Sequence, residues 1–437
     1  MQICNNFKIF PVIQPAVKTN ILLKAGPNMS AITITNPTNV NPASATVKTK
    51  RFESIDLLRG AVMIIMALDH VRDYFHSSAF LYSPTDLTRT SVPIFFTRFV
   101  THYCAPVFVF LAGISAFLYG ARRSKAALSF FLFTRGIWLL VAEVTIITLA
   151  WTFNPSWHFI FLQIIFDFGI SMIVLSGLVY LDKRLILLVG ILLIAGHNLL
   201  DTIHVPGNGA VSFLWAALHE ARYFTCGYFT IRVHFPLLPW IGIMAIGYYL
   251  GHLYATGYDE AKRKKILLFL GVGAIVLFIL LRSINLYGDP AHWSAQKNAV
   301  FSLLSFLNVS KYPPSLLYVL VTLGPALIFL ALTENLRNSF TEKIQVFGRV
   351  PMFYYIVHLY LIHLTAVIAA AISGHNWMDM ILRNRVNATP ELKGYGFNLV
   401  TVYIIWIAVI LILYPFCKWF GRYKSTHQSR YWWLSYL

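Results

Sequence analysis

One apolar stretch of the chain carries an unusual density of groups able to do chemistry. It opens Ser54-Ile-Asp56-Leu-Leu-Arg59 and closes Asp69-His70-Val-Arg72-Asp73-Tyr74-Phe75-His76. An imidazole changes charge near neutral pH, so His70 is suited to general-base work. Asp69 and Asp73 flank it, and a carboxylate beside an imidazole fixes its tautomer and raises its basicity. Arg59 lies eleven residues before His70. On a helix eleven steps leave the two only ~20° apart, with a rise of ~16 Å. A cation and a base therefore share one stripe at different depths. The structural alternative has Arg59 snorkelling to one surface and the Asp69–Asp73 cluster forming a solvated helix end. The constellation as a whole favours a site.

The elements that must carry this stripe are membrane helices. The chain has 437 residues, of which 57% are apolar and only 12% charged. Soluble domains carry roughly 25% charged residues, so a soluble globular fold is excluded. Aromatic residues make up 16%, which excludes a disordered chain. The formal charge of +18 would suggest nucleic acid in a soluble protein. Here the basic residues lie between long apolar segments, which indicates positive-inside topology and no nucleic-acid partner. Ten segments of spanning length lie at about 55–75, 96–119, 128–150, 157–180, 185–200, 236–256, 265–283, 314–333, 350–372 and 397–417. The expected fold is all-α: a polytopic integral membrane bundle of about ten transmembrane helices. Every second loop is short and rich in Lys and Arg, placing both termini in the cytoplasm. Loops 76–95, 201–235, 284–313 and 374–396 then form a built outer face. Residues 1–50 read as a flexible cytoplasmic tail without a signal peptide, with Met29 as an alternative start.

Other charged residues invite weighing. Arg98 and His102 are i,i+4 neighbours near the expected outer face and could bind an acceptor or an oxyanion, or simply cap a helix end. Arg135 and Glu143 sit two turns apart, with Asp167 as an alternative partner for Arg135; a charge pair locking the bundle explains them better than catalysis. His197 reads as a hydrogen-bonded core histidine. His358 and His363 point ~140° apart, so only one can line a site; His358, one turn after Tyr354, is preferred. Arg349 at a basic helix start could meet phosphates or act as an ordinary anchor. Cys104 and Cys226 could pair at the outer face, although all four cysteines also suit packed apolar positions. No Walker loop, dinucleotide fingerprint, HExxH or cysteine metal spacing is present, so no metal is expected.

The runs RFESIDLLRGAVMIIMALDHVRDYF and PTDLTRTSVPIFFTRFVTHYCAPVFVFLAGISAFLYG resemble heparan-alpha-glucosaminide N-acetyltransferase and its bacterial relatives. FPLLPWIGIMAIGYYLGHLY, GRVPMFYYIVHLYLIH and the ending YWWLSYL add to the resemblance. The spacing of Arg59 and His70 also resembles the first-helix pattern of polytopic O-acyltransferases acting on cell-surface sugars. The resemblance implies that residues 51–437 form a membrane acyltransferase domain. It would move an acetyl group from cytoplasmic acetyl-CoA to an extracytoplasmic glycan or amino-sugar acceptor. It also implies a multi-pass protein of the bacterial inner membrane, in contact with lipid, with homo-oligomerisation left open. In the lysosomal enzyme the catalytic histidine lies in the loop after the first helix, which here matches His76, while His70 falls at an asparagine position. His70 and His76 are therefore both candidate bases, with Asp69 and Asp73 as orienting groups. Arg59 and Arg349 are the candidate donor-binding residues, and Arg98, His102 and His358 the candidate acceptor-binding residues. The alternative is a transporter or flippase for a small or lipid-linked solute, which buried charges in such a bundle would also suit.

Overall fold

The computed structural model of the chain describes residues 52–436, the side chain of Trp432 excepted. The expected tail at 1–50 lies outside the described residues. The chain folds as a helical bundle in the order α1 (Glu53–Phe75), α2 (Val92–Thr101), α3 (Cys104–Gly120), α4 (Lys125–Ala142), α5 (Thr148–Thr152), α6 (Ile164–Leu178), α7 (Lys183–Gly196), α8 (Ala210–His219), α9 (Leu237–Leu250), α10 (Glu260–Ile284), α11 (Ala299–Leu307), α12 (Leu316–Leu332), α13 (Ser339–Arg349), α14 (Pro351–Ile372) and α15 (Leu399–His427). Below, the end of the bundle where α1 begins is called proximal, and the end where it finishes distal.

Side-chain caps start many of these helices. Ser124, Asp182, Asp259, Ser315 and Asn398 each accept a backbone N–H from the first turn of the helix they precede. Asn338 and Thr341 form a reciprocal capping box at α13. Seven helical stretches among the described residues are long and apolar enough to cross a membrane: Val92–Gly120, Lys125–Thr152, Lys183–Leu200, Leu237–Tyr254, Glu260–Ile284, Pro351–Ile372 and Leu399–His427. The expected count of about ten is not reached on these terms. The first helix is long enough but carries too many charges, while α6 and α12 are short. Phe269, Phe130 and Leu411 on three of the seven point outward and are largely exposed, as lipid-facing side chains are. Leu237–Tyr254 is mostly buried and forms the bundle's interior.

The all-α expectation needs correction. A three-stranded sheet covers part of the distal end, in the order β1 (Phe159–Leu162), β3 (Phe229–Val233), β2 (Arg222–Cys226). β1 pairs parallel with β3, and β2 pairs antiparallel with it. The segment at 157–180 is therefore a strand followed by a helix. Its opening Phe159-Ile-Phe-Leu162 run is an apolar tetrapeptide that periodicity alone cannot assign. The span at 350–372 is likewise preceded by an unforeseen amphipathic helix, α13, because Pro351 starts a new helix rather than continuing one. Arg349 is thus the last residue of α13. Cys104 is a free buried thiol, so the Cys104–Cys226 pairing does not form.

The seam between α1 and α13 requires two glycines. A Cβ on Gly60 would overlap the Ile344 carbonyl, and one on Gly348 would overlap the Asp56 carbonyl. Only hydrogen at both positions lets the backbones touch. Gly348→Leu should force the helices apart and cost at least about 1–3 kcal/mol, the usual range for overpacking. The check is the melting midpoint and monodisperse yield of the purified variant. A midpoint equal to wild type would show that the seam is not close-packed in the membrane.

Candidate active site

A cavity of about 890 Å³ runs through the bundle interior. Its lining begins at the proximal end with Arg59, Arg135, Arg349 and Lys424. It continues past Met63, Met66, Phe108 and Met172, and then past Asp69, His70, Arg98 and His102. It finishes at the distal end with Arg232, Lys311, Tyr312 and Arg385. Arg59 and His70 thus line one cavity from one helix.

The protonation of His70 follows from its neighbours. His358 is fully buried on α14, and its Nδ1 lies 2.9 Å from the Tyr354 carbonyl. A carbonyl only accepts, so this nitrogen carries the proton and Nε2 of neutral His358 bears a lone pair. Nδ1 of His70 lies 2.7 Å from that Nε2 and must donate to it. In the neutral dyad, Nε2 of His70 then keeps its lone pair. The two rings stack at 4.9 Å, and Trp151 packs edge-on against His70 at the same separation, fixing the ring plane. The chain Tyr354 carbonyl, His358, His70 therefore presents one basic nitrogen.

The carboxylates do other work than expected. Asp69 accepts from Arg98 Nη1 at 2.8 and 2.5 Å, from Thr101 Oγ1 at 2.7 Å, and pairs with Arg72 Nη2 at 2.6 Å. Asp73 takes the same Arg72 Nη2 at 2.7 Å. Neither carboxylate hydrogen-bonds His70; its orienting partner is His358. Arg98 also donates to the Tyr312 hydroxyl at 3.1 Å, tying α2 to the distal loop.

The remaining candidates divide. His102 lines the cavity, and its carbonyl accepts from Tyr318. His358 sits behind His70 and does not line the cavity. His363 is held between the Ala150 and Met380 carbonyls, so neither α14 histidine faces the cavity. His76 is buried outside it, and its Nδ1 accepts the Ser78 N–H at 3.2 Å, capping a short helical turn. Arg59 binds Asp56, the Gly348 carbonyl and Ser115, joining α1, α13 and α3 where it lines the cavity. Arg349 lines the same end and donates to Gln345. Arg135 bonds the Ser435 carbonyl rather than Asp167. Glu143, in a π turn, accepts the Gln163 and Phe166 N–H groups at the start of α6.

Sequence reasoning noted His234 and Arg385 in the outer loops without giving them a site role, and missed Lys311, Tyr312 and Arg232, which lie in the same long loops. Buried Arg282 assembles one of these loops by donating to the Ala291, Ser305, Phe306 and Asn308 carbonyls. Asp289 accepts from Ser310 N–H and Ser315, which sets Lys311 and Tyr312 against the cavity. The result is a strongly positive distal mouth. Burial, reinforced by Arg385, Arg232 and Lys311, holds His234 well below the usual histidine range. Burial would push the Tyr312 phenol up, but Lys311 and Arg98 outweigh it and bring it below its ordinary value. His234 stacks on Tyr312 at 4.0 Å.

A helical bundle with seven membrane-length apolar helices around a charged internal cavity defines an integral membrane protein with a buried site. Residues 51–285 match the family model of the heparan-alpha-glucosaminide N-acetyltransferase catalytic domain, and the chain belongs to that family. The match includes α1 with Arg59 and His70, and Arg98 and His102; Arg349 and His358 lie beyond it. No curated protein matches the chain.

The Asp69 network gives a stability prediction. Removing one member of a buried charge network leaves the others uncompensated and costs about 3–5 kcal/mol. Asp69→Ala should therefore lower the melting midpoint and folded yield sharply, and Asp69→Glu should do so less. Equal melting curves for all three proteins would show that the network is solvated in the membrane.

Proposed function

We propose that this protein transfers an acetyl group from acetyl-CoA, entering at the proximal end, to an amine or hydroxyl of a glycan or amino-sugar acceptor at the distal end. The observation that carries this reading is one cavity that passes an oriented imidazole and has cations at both mouths. Arg59 and Arg349, joined by Arg135 and Lys424, would hold the CoA phosphates through charge-assisted contacts. The apolar middle would take the pantetheine arm, over the ~16 Å rise from Arg59 to His70. Lys311, Arg232 and Arg385 suit an acceptor bearing an acidic group, with Arg98 and His102 beside it.

In the proposed step, the acceptor's nitrogen or oxygen attacks the thioester carbonyl carbon as His70 Nε2 removes its proton. The C–S bond breaks, and the proton passes to the departing CoA sulfur. His358 holds the His70 tautomer and shares the positive charge as it forms, as the buried partner of a catalytic histidine does. Proton transfer of this kind contributes about 10²–10⁴-fold. His70→Ala should lose at least ~100-fold in acetyl transfer while still binding acetyl-CoA. His358→Phe, which removes the acceptor of His70 Nδ1–H, should lower kcat with KM little changed. His76→Ala, which removes only a turn cap, should retain near-normal turnover. A purified protein that neither binds nor turns over acetyl-CoA, yet moves solute across a vesicle membrane, would replace this reading with transport.

The topology belongs to the same proposal. Adding α1, α6 and α12 to the seven apolar stretches gives ten crossings with both termini cytoplasmic and the sheet outside. A cysteine replacing Asn208 should react with an impermeant thiol reagent in intact cells, and one replacing Lys264 should not. The reverse pattern would invert the topology.

A further inference from the structure

A second cluster of chemically capable groups lies away from the cavity. His197 follows α7, Asp201 lies four residues later, and His219 ends α8. One ligand atom from each lies within 4.8 Å of the others. None of the three lines the cavity. We propose that His197, Asp201 and His219 form a binding site for a divalent transition-metal ion, of which zinc is the best fit.

The polar accounting points to a missing partner. His197 is 2% exposed and His219 4% exposed. His219 Nε2 reaches Asp201 Oδ1 at 3.1 Å. Both ring nitrogens of His197, and Nδ1 of His219, are buried without any partner at hydrogen-bonding geometry. The Pro314 carbonyl makes a weak backbone hydrogen-bond contact with the His197 ring, short of full hydrogen-bonding geometry, and it can engage only one of the two nitrogens. His197 is thus a buried core histidine with at most one weak backbone partner. Buried polar atoms normally find a partner, so a buried imidazole with at least one unpartnered nitrogen beside a second imidazole and a carboxylate is anomalous. One cation between the three would give one nitrogen of each ring a partner, because neutral imidazole nitrogen and carboxylate oxygen are among the donors zinc takes.

The surroundings already hold the carboxylate. Asn198 Nδ2 donates to the other Asp201 oxygen at 2.9 Å, leaving Oδ1 for the ion. The same Asn198 accepts the Leu316 N–H at 3.0 Å, so the orienting residue is itself anchored to the start of α12. Orienting contacts of this kind accompany metal ligands. Asp201 is 17% exposed at its side chain, which leaves room for water as a fourth ligand. Binding would displace the proton now shared by His219 and Asp201. The ion would fasten α8 to the end of α7, securing a distal segment whose own apolar clusters are small. This role is independent of the proposed acetyl transfer.

The experiment uses the full chain, purified without a polyhistidine tag, stripped with chelator and returned to Zn²⁺ or Co²⁺. About one equivalent of zinc should be retained after gel filtration, with a raised melting midpoint. The Co²⁺ form should show the visible absorption of a four-coordinate N/O site. His197→Ala and His219→Ala should each weaken retention by about a hundredfold or more, exceeding the effect of losing an orienting group. Asn198→Ala, which keeps all three ligands, should weaken it by about tenfold to a hundredfold. No retained metal and no Co²⁺ spectrum in the wild type would overturn the site. Equal retention in folded His197→Ala and wild type would also do so. The wild-type cobalt spectrum decides the matter even if the variants do not fold.

Discussion

A carboxylate inside an apolar bundle is tolerable only when cations reach it, and Asp69 is where this structure meets that requirement. Its two oxygens receive Arg98, Arg72 and Thr101. Arg98 then extends to Tyr312, and Arg72 to Asp73. Through these contacts α1, α2 and the loop before α12 are fixed to one another at the depth of His70. Buried ion pairs seldom add much net stability, but breaking one by moving an element leaves an uncompensated charge. Here the contacts hold α1 with its histidine lining the cavity.

Once Asp69 is committed to arginines, something else must set the His70 tautomer. The neutral His358 does this with less electrostatic consequence than a carboxylate. A carboxylate hydrogen-bonded to His70 would also fix its tautomer, but it would add a negative charge and raise the ring's basicity. A histidine whose own proton is pinned by a backbone carbonyl accepts the His70 proton without adding charge. It still disperses positive charge when His70 becomes cationic. In the proposed transfer, an uncharged partner of this kind would suit a modest base, which is enough for attack on a thioester.

Much of this was legible in the sequence, and the failures have physical causes. The shared stripe of Arg59 and His70 follows from helical period alone, and the bundle follows from apolar run lengths. Asp69 was assigned to His70 because adjacency in sequence was taken for contact. On a helix, neighbours one apart diverge by about 100°, so the carboxylate faces α2 while the imidazole faces α14. His358 was placed in the cavity because a polar residue on an apolar helix invites that reading; its burial behind His70 depends on long-range packing no local pattern records. The Phe159–Leu162 strand was absorbed into a helix for want of periodicity. The distal cations were invisible as a group because three separate loops supply them.

The cavity's polarity profile also narrows what can occupy it. Cations gather at both ends, while Met63, Met66, Phe108 and Met172 line the stretch between. A solute crossing from end to end would have to be apolar enough for the middle and anionic enough for the mouths. A molecule with an anionic head and a long, uncharged arm meets both demands without moving through, and so does a second anionic molecule that arrives from the other end. The reacting atoms of two such molecules would meet beside His70, where the walls are packed and Trp151 closes one face of the ring. Under the proposed reaction, charge developing there would meet fixed groups, the condition under which an oriented imidazole and nearby cations act most strongly.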